Sequence, residues 1–279
     1  MTTQVIGTVR ASSWPSLFDC AHRWYWQNIA GLRMPSSGAA ALGTAIHAGT
    51  AQFDGARIAG REASIKAAVD SAATVMGEEI KKGAAFEDTL TPKDAINYAI
   101  NLTAKYCQTV APTRQYTDVE LSCTALDIST ESGVVRITGT TDRIRVDADG
   151  RLGVSDLKSG GRATEKTADG GRRAVTKGHH IQLGIYTLMA EQASGKRLDA
   201  TAEIIGLQTT KECPVATGEV ADVKTPLLGT DDAPGLIEIA AQMLKAGVFP
   251  RTRKAFCAAS SIAPHGRTAN AAITIEELQ

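Results

Sequence analysis

The segment from Gly139 to Gly160 constrains the fold of this chain more than any other, because it reads as two strands joined by a tight turn. Apolar residues alternate on both sides of the turn, at Ile144 and Val146 before it and at Leu152 and Val154 after it. The turn itself ends in an Asp-Gly pair, which is favoured where the backbone needs a positive φ. A β-hairpin is therefore predicted near the middle of the chain.

Each strand of this hairpin carries an acid, Asp142 on the first and Asp156 on the second, and Lys158 follows two residues after Asp156. Side chains alternate along a strand, so Asp156 and Lys158 share a face. Neighbouring strands lie about 5 Å apart, which lets the two carboxylates converge. A solvated face with a weak ion pair is the alternative. Two acids and a lysine suit a divalent metal ion and favour metal-assisted hydrolysis of a phosphodiester.

The rest of the chain predicts an α/β fold with a central mixed β-sheet flanked by helices and with an N-terminal helical portion. Helices are predicted at 12–30, 38–59, 61–82, 93–110, 179–194 and 232–246, and strands at 115–127, 134–146, 151–158 and 200–209. A mobile loop is predicted at 159–178 and an irregular excursion at 211–231. One domain, 1–279, is expected, with a mainly helical part (1–112), a sheet and helix (113–210), and a C-terminal helix and tail (211–279).

Bulk composition restricts the partners. The formal net charge is zero, so a nucleic acid would have to be held by a local basic patch rather than by the field of the whole molecule. The N-terminus has no basic-then-apolar signal sequence, and no apolar run approaches the about 18 residues that span a membrane. A cytoplasmic protein without a membrane partner is expected.

Four short motifs follow one another in order: Gly43-Thr-Ala-Ile-His47, Gly139-Thr-Thr-Asp142, Asp156-Leu-Lys158 and Gln182-Leu-Gly-Ile-Tyr186. Together with Cys20-Ala-His-Arg-Trp-Tyr25, they resemble the RecB-type exonuclease branch of the PD-(D/E)XK nuclease superfamily, which includes phage and bacterial recombination nucleases. The resemblance runs from about Ser13 to Leu188. It implies a restriction-endonuclease-like core in which the histidine, the two acids and the lysine form a metal-dependent nuclease centre.

The resemblance and the residue chemistry together give a candidate site. The expected metal ligands are His47, Glu120, Asp142, Asp156 and the backbone carbonyl of Leu157. The expected catalytic residues are Asp142, Asp156, Lys158, Gln182 and Tyr186. Several alternatives stay open. Lys158 either helps to deprotonate the attacking water or stabilises charge on the phosphate. Glu120 could be an ordinary exposed residue. Gln182 and Tyr186 could orient the lysine, contact the DNA backbone or simply pack.

A basic loop follows the hairpin, with six cationic side chains against two acids between 158 and 178. The residues predicted to bind DNA are Arg162, Lys166, Arg172, Arg173, Lys177 and His180. A solvated flexible loop is the alternative. Arg251, Arg253 and Lys254 form a weaker second candidate. The aromatic cluster Trp14, Trp24, Tyr25 and Trp26 is expected to be core, with base stacking as the alternative.

The predicted cofactor is Mg²⁺ or Mn²⁺, as one or two ions. Some nucleases of this type carry an iron–sulfur cluster, but no Cys-x-x-Cys follows Cys257, so no cluster is expected. The predicted function is an exonuclease that hydrolyses linear DNA in recombination or repair, with a single-strand annealing protein or another recombination protein as a candidate partner. The alternatives are a structure-specific endonuclease, a catalytically idle module that binds DNA ends, and a hydrolase of another phosphate ester.

Overall fold

The computed structural model describes residues 4–32 and 34–252. Its helices are α1 (Trp14–Asp19), α2 (Ala21–Asn28), α3 (Gly38–Ile58), α4 (Ile65–Lys81), α5 (Pro92–Thr109), α6 (His180–Ser194), α7 (Thr225–Leu228) and α8 (Leu236–Ala246). Three of the longer helices begin at side-chain caps, since Ser37, Ser64 and Thr91 each accept a hydrogen bond from a backbone N–H of the first turn. The helix predicted at 12–30 is broken at Cys20, whose backbone is extended with φ −160°.

The strands are β1 (Val5–Arg10), β2 (Gln115–Ser129), β3 (Val134–Val146), β4 (Leu152–Gly160), β5 (Thr164–Lys166), β6 (Arg172–Ala174), β7 (Ala202–Gln208), β8 (Val215–Val220), β9 (Gly229–Thr230) and β10 (Ala233–Pro234). The main sheet contains β1, β2, β3, β4, β7 and β8. Strands β1 and β3 pair in parallel, as do β4 and β7, and the remaining pairs are antiparallel. The predicted mixed sheet is therefore confirmed.

Four strand regions differ from the sequence expectation, and one of them is the short β9–β10 pair, which spans the end of the expected irregular segment and the start of the helix expected at 232–246. Strand β1 was not predicted at all, and β8 forms inside the segment expected to be irregular. The segment expected to be a mobile loop folds in part as the β5–β6 hairpin. This hairpin lies against the sheet where Gly206 and Gly218 leave room, since a Cβ on Gly206 would sit 2.2 Å from the carbonyl oxygen of Ala163. Packing of the hairpin against the sheet orders this segment, and the periodicity of apolar residues in the sequence does not report such a contact.

The sheet separates two hydrophobic cores. One core packs α1, α2, α6 and α8 against the sheet and includes Trp14, Trp24, Tyr25 and Trp26, all at most 5% exposed. The other core packs α3, α4 and α5 against the opposite face. The expected core role of the aromatic cluster is confirmed, and base stacking on these rings is excluded by their burial. No helix within 4–32 and 34–252 has the length and apolar character needed to cross a membrane.

A buried ion pair joins α3 to β3. The Nε of Arg143 donates to Oδ2 of Asp54 at 2.8 Å, and its Nη2 donates to the hydroxyl of Thr50 at 2.8 Å. Asp54 also accepts a hydrogen bond from the hydroxyl of Tyr106, and both members of the ion pair are 0% exposed. The Thr50 hydroxyl in turn donates to the backbone carbonyl of Ile46 at 2.8 Å. This network fixes the position of α3 relative to β3.

Replacing Asp54 with alanine is expected to destabilise the protein by about 3–5 kcal/mol, because it leaves the Arg143 guanidinium buried without its counter-ion. Denaturant unfolding measures the loss. Asp70→Ala is the matched control: Asp70 lies on α4, is 61% exposed and forms a surface ion pair with exposed Lys66. That change is expected to cost less than about 1 kcal/mol. Equal losses in the two variants would contradict the structural role of the buried pair.

Candidate active site

The site lies where the central sheet opens. One edge of β3 pairs with β2, and the other edge pairs with β1 over 134–138 and with β4 over 143–146. Between these two stretches, residues 139–142 have no strand partner on that edge. Strand β4 leaves β3 after Ser155 and continues beside β7 alone. The two strands of the predicted hairpin therefore separate just where their acids lie.

Asp142 bridges this opening. Its Oδ2 accepts a hydrogen bond from the backbone N–H of Leu157 at 3.1 Å, which ties the unpaired stretch of β3 to the diverging part of β4. The Asp142 side chain is only 9% exposed. A carboxylate held by a backbone donor in this way has one fixed orientation, and its remaining lone pairs point toward the opening.

His47 reaches the same point from α3. Its Nδ1 lies 3.4 Å from Oδ2 of Asp142 and 3.8 Å from Oε1 of Glu120. Its Nε2 lies 3.2 Å from the carbonyl oxygen of Leu157. The tautomer that donates from Nε2 to this carbonyl leaves the Nδ1 lone pair facing the carboxylates. Burial lowers the pKa of His47, but Asp142 and then Glu120 outweigh that effect, so the pKa is raised overall.

Glu120 enters the site through a strained backbone. It lies on β2 with φ 51°, a backbone angle that residues other than glycine, asparagine and aspartate rarely adopt. Its neighbours Val119 and Leu121 pair with Arg143 and Thr141, so Glu120 lies across from Asp142 in the β2–β3 pair. Strain of this kind costs about 1–3 kcal/mol and collects at functional sites. The ligand atoms of His47, Glu120 and Asp142 all lie within 4.8 Å of one another.

Asp156 is the buried member of the site. It is 0% exposed, and neither carboxylate oxygen receives a hydrogen bond of good geometry from the described residues. The Nζ of Lys158 lies 2.6 Å from its Oδ2, so the two residues share a face as predicted. Burial first, and the Asp142 carboxylate second, raise the pKa of Asp156 to about 7 despite the opposing effect of Lys158.

The lysine is held from its other side by α6. The Nζ of Lys158 donates to Oε1 of Gln182 at 2.8 Å, and Nε2 of Gln182 donates to the hydroxyl of Tyr186 at 2.7 Å. Gln182 and Tyr186 are one turn apart, so a single helical face presents both. These two hydrogen bonds fix the direction of the ammonium group, which is the arrangement expected if the glutamine orients the lysine.

A groove of about 780 Å³ leads to these residues. One wall is the small-residue face of α3, including Ala40, Gly43 and Thr44, and the opposite side carries Glu120 and Lys158. Small side chains on α3 leave the approach to His47 open. A polymer backbone can therefore reach the carboxylates without displacing a bulky group.

The donor set fits a hard divalent cation. Carboxylates, a backbone carbonyl and an imidazole converge, and Asp156 is buried beside Lys158 without the hydrogen bonds that a purely structural aspartate needs. His47, Glu120 and Asp142 form the compact group. The geometry thus brings together three of the four side chains that were predicted as metal ligands, and the fourth, Asp156, lies on β4 just after its last pairing with β3.

The predicted DNA-binding residues divide into two groups. Arg172 donates to Thr164 and to Gln208, both at 2.9 Å, and Arg173 pairs with Glu165 at 2.7 Å, so both arginines already serve the β5–β6 hairpin. The other four, which are exposed, are Arg162, Lys166, Lys177 and His180. Arg253, Lys254 and Cys257 lie outside the described residues. The second basic patch and the expected absence of an iron–sulfur cluster therefore stay predictions.

The structure also shows residues that the sequence reasoning missed. The network of Thr50, Asp54 and Arg143 supports α3 one to two turns after His47. A spacing signal was present, since 47, 50 and 54 fall on one helical face and a buried acid there requires a partner. The partner itself, on a strand far along the chain, has no local signature.

Splayed strands, converging acids and an adjacent lysine in an α/β fold are an arrangement that suits metal-assisted hydrolysis. Residues 11–262 match the model of the PD-(D/E)XK nuclease superfamily, and the chain belongs to that superfamily. A crystal structure from Eubacterium rectale described as a "Putative exonuclease" is similar in fold, with a TM-score of 0.56 and 15% identity over 96% of this chain and 91% of that chain. No curated protein sequence matches the chain.

Proposed function

We propose that the protein is a Mg²⁺- or Mn²⁺-dependent exodeoxyribonuclease of the RecB-type branch, acting on linear DNA in recombination or repair. The observation that carries the catalytic part of this proposal is the buried Asp156 carboxylate, which has the Lys158 ammonium beside it but receives no hydrogen bond of good geometry from residues 4–32 and 34–252. A purely structural site would satisfy such a carboxylate. The similarity to a structure described as an exonuclease, and the order of the four motifs, support the finer assignment.

In this proposal His47, Glu120, Asp142, Asp156 and the Leu157 carbonyl hold the cation. A bound Mg²⁺ or Mn²⁺ would lower the pKa of a water molecule and offset charge on the phosphate. Asp142 is held in one orientation because the Leu157 N–H donates to it. The Leu157 carbonyl has a second lone pair free beyond its contact with His47, so it remains available as an oxygen ligand.

Lys158 acts on the phosphate side of the site. An ammonium has three N–H donors; one donates to Gln182, and the charge lies beside the Asp156 carboxylate. A donor remains available for a phosphate oxygen or for the attacking water. Gln182 and Tyr186 position this ammonium, and the exposed side chains of Arg162, Lys166, Lys177 and His180 contact the DNA backbone.

The function is tested by incubating linear DNA and intact, closed circular DNA of the same sequence with Mg²⁺, Mn²⁺ or EDTA. We expect both metals to support degradation of the linear form, with the circle intact and no cleavage in EDTA. Cleavage of the circle would instead favour the endonuclease alternative. Metal-independent binding without cleavage, unchanged by Asp142→Ala, would favour the idle DNA-end-binding module. Label at the 5′ or 3′ terminus reports the polarity of digestion in the same assay.

A further inference from the structure

An open cleft of about 600 Å³ lies at the end of the sheet where β2 turns back into β3. Its walls are the end of β2, the short helix α7, the β9–β10 pair and the N-terminal half of α8. Leu121 pairs with Thr141 at the level of the active site, whereas Ile128, which lines the cleft, lies further along β2. At about 3.3 Å per residue, these two levels of the strand are roughly 20 Å apart. The cleft and the active site are therefore separate surfaces.

The floor of this cleft is apolar. Ile128, Leu227 and Ile237 line it, and the Leu227 side chain is fully buried beneath it. The next residue along α7, Leu228, lines the same cleft but is 55% exposed. A leucine exposed above a continuous apolar floor differs from one scattered alone on a surface, because a partner can cover both at once. The cleft therefore offers a contact point for an apolar side chain of another molecule.

The rim of the cleft carries charge of one sign. Four carboxylates line it, from Glu131, Asp231, Asp232 and Glu238, and no lysine, arginine or histidine of the described residues does. Glu238 is fixed, since it accepts hydrogen bonds from the backbone N–H of Glu131 at 2.9 Å and from the hydroxyl of Ser132 at 2.7 Å. The other three acids are exposed, and none of them forms an ion pair within 4–32 and 34–252. We call this surface the acidic cleft.

The formal net charge of zero thus conceals two surfaces of opposite sign. The segment 158–178 has six cationic side chains against two acids, and its β5–β6 hairpin packs against β7 and β8. In the strand order of the main sheet, β7 and β8 lie at one end and β1 at the other, and α8 packs on β1. A nucleic acid is attracted to the basic segment and repelled by the acidic cleft, which suits a cationic ligand instead.

The acids of the cleft are spread along its rim rather than gathered at one point. Within the described part of the chain, the group whose potential metal-ligand atoms all lie within 4.8 Å of one another is His47, Glu120 and Asp142. The acids of the cleft do not converge in this way, so they suit several separate cationic groups better than one metal ion. The apolar floor favours the same ligand, because it stabilises an apolar side chain and adds nothing to a hydrated ion.

We propose that the acidic cleft binds a segment of a partner protein in which lysine or arginine side chains flank an apolar residue. The apolar residue packs against Leu228 and the floor, and the cations pair with Glu131, Asp231 and Asp232. Protein interfaces commonly combine a buried apolar anchor with a polar rim in this way. Because the cleft and the active site are separate, the partner and DNA bind at the same time. Binding of this segment requires neither a metal ion nor cleavage, so it goes beyond the proposed nuclease function.

A random peptide library displayed on phage provides the probe. The library is first depleted on a variant that combines Leu228→Ser, Asp231→Asn and Asp232→Asn, and it is then selected on the wild-type protein in EDTA. We expect the recovered peptides to carry lysine or arginine next to an apolar residue. The most frequent peptide is synthesised with a fluorescent label, and its binding is measured by anisotropy at low salt and at about 0.15 M salt.

Leu228→Ser is expected to weaken binding of this peptide about tenfold, because it removes the apolar contact. The double variant Asp231→Asn, Asp232→Asn should weaken it about as much at low salt and by a smaller factor at about 0.15 M, where salt already screens the charges. The peptide should leave binding of labelled DNA in EDTA unchanged, and it should leave cleavage with Mg²⁺ unchanged as well.

Two matched controls lie outside the cleft. Leu32→Ser changes another leucine of similar exposure, 46%, that does not line the cleft. The double variant Glu62→Gln, Asp70→Asn removes as many exposed acids as the double variant of the cleft. Both controls should bind the peptide like the wild type at either salt concentration.

Several results would overturn this proposal. They are a selection that enriches no peptide after depletion, recovered peptides without cationic residues, and equal binding by Leu228→Ser and the wild type. A peptide that displaces DNA would lie in the active-site groove, which also excludes the cleft. A rise in the midpoint temperature of unfolding with Mg²⁺ that only the Asp231, Asp232 double variant lacks would make the cleft an ion site instead. If the peptide binds as expected but no metal supports cleavage, the cleft proposal stands and the nuclease is overturned.

Discussion

Asp156→Asn is expected to reduce DNA cleavage by about 10³-fold or more, and at the same time to stabilise the metal-free protein. The change keeps the shape of the side chain and removes a negative charge that is 0% exposed. Loss of this charge removes an expected metal ligand and the partner of Lys158. Because the same charge is costly to bury when no metal ion is bound, its removal also favours folding of the metal-free protein.

The pH dependence of stability gives this prediction a sign. An aspartate in the unfolded chain has a pKa of about 3.9. The folded metal-free protein raises the pKa of Asp156 to about 7, chiefly through burial, so the folded state binds the proton more tightly. Stability of the metal-free wild type should therefore fall as pH rises from about 4 to 7. Asp156→Asn should flatten this decline and gain about 1–3 kcal/mol at neutral pH.

Thermal unfolding in EDTA and in Mn²⁺, together with cleavage rates, checks both effects. The wild type should be stabilised by Mn²⁺ and the variant should not, because a ligand that binds the folded state raises the midpoint temperature of unfolding. Asp199→Asn is the control, since Asp199 is 49% exposed and forms a surface ion pair with Arg197. It should change neither activity nor metal response. A variant at Asp156 that is less stable in EDTA, or as active as wild type, would contradict the proposed role.

The hairpin was predictable because its signals are local. Alternating apolar residues and the turn closed by Gly150, which has φ 79°, fix the strands on either side. The structure agrees with the predicted strand at 134–146 to the residue. The shared face of Asp156 and Lys158 follows from strand periodicity alone. Fold class and the central acids could therefore be inferred from short-range patterns and from the order of the motifs.

Features that depend on distant parts of the chain could not be inferred. Strand β1 is short, and its pairing with β3 joins residues more than a hundred positions apart. The opening between β3 and β4 arises because β4 leaves β3 for β7, which no periodicity in either strand reports. The strained backbone of Glu120 and the pairing of Arg143 with Asp54 are likewise set by tertiary packing. Sequence patterns identify the groups, and long-range packing sets their directions.

Lys158→Met is expected to lower the single-turnover cleavage rate by about 10²–10³-fold while leaving Mn²⁺ binding within a few-fold of wild type. Methionine keeps the length and apolar stem of lysine but removes the ammonium, its charge and its donors. In the structure that ammonium contacts Asp156 and Gln182 and lines the groove. The loss should therefore appear in the chemical step rather than in assembly of the metal site.

Two further variants locate the source of that loss. Gln182→Leu keeps the ammonium but removes the acceptor that orients it, so a smaller reduction, of about tenfold, is expected. Lys66→Met, on the exposed face of α4 where Lys66 is 85% exposed, should have no effect on rate or on metal binding. If Lys158→Met abolishes Mn²⁺ binding as fully as Asp156→Asn does, the lysine supports the architecture of the site and not the reaction. If Gln182→Leu is as slow as Lys158→Met, an ammonium that is present but misdirected contributes nothing, and its orientation is the catalytic requirement.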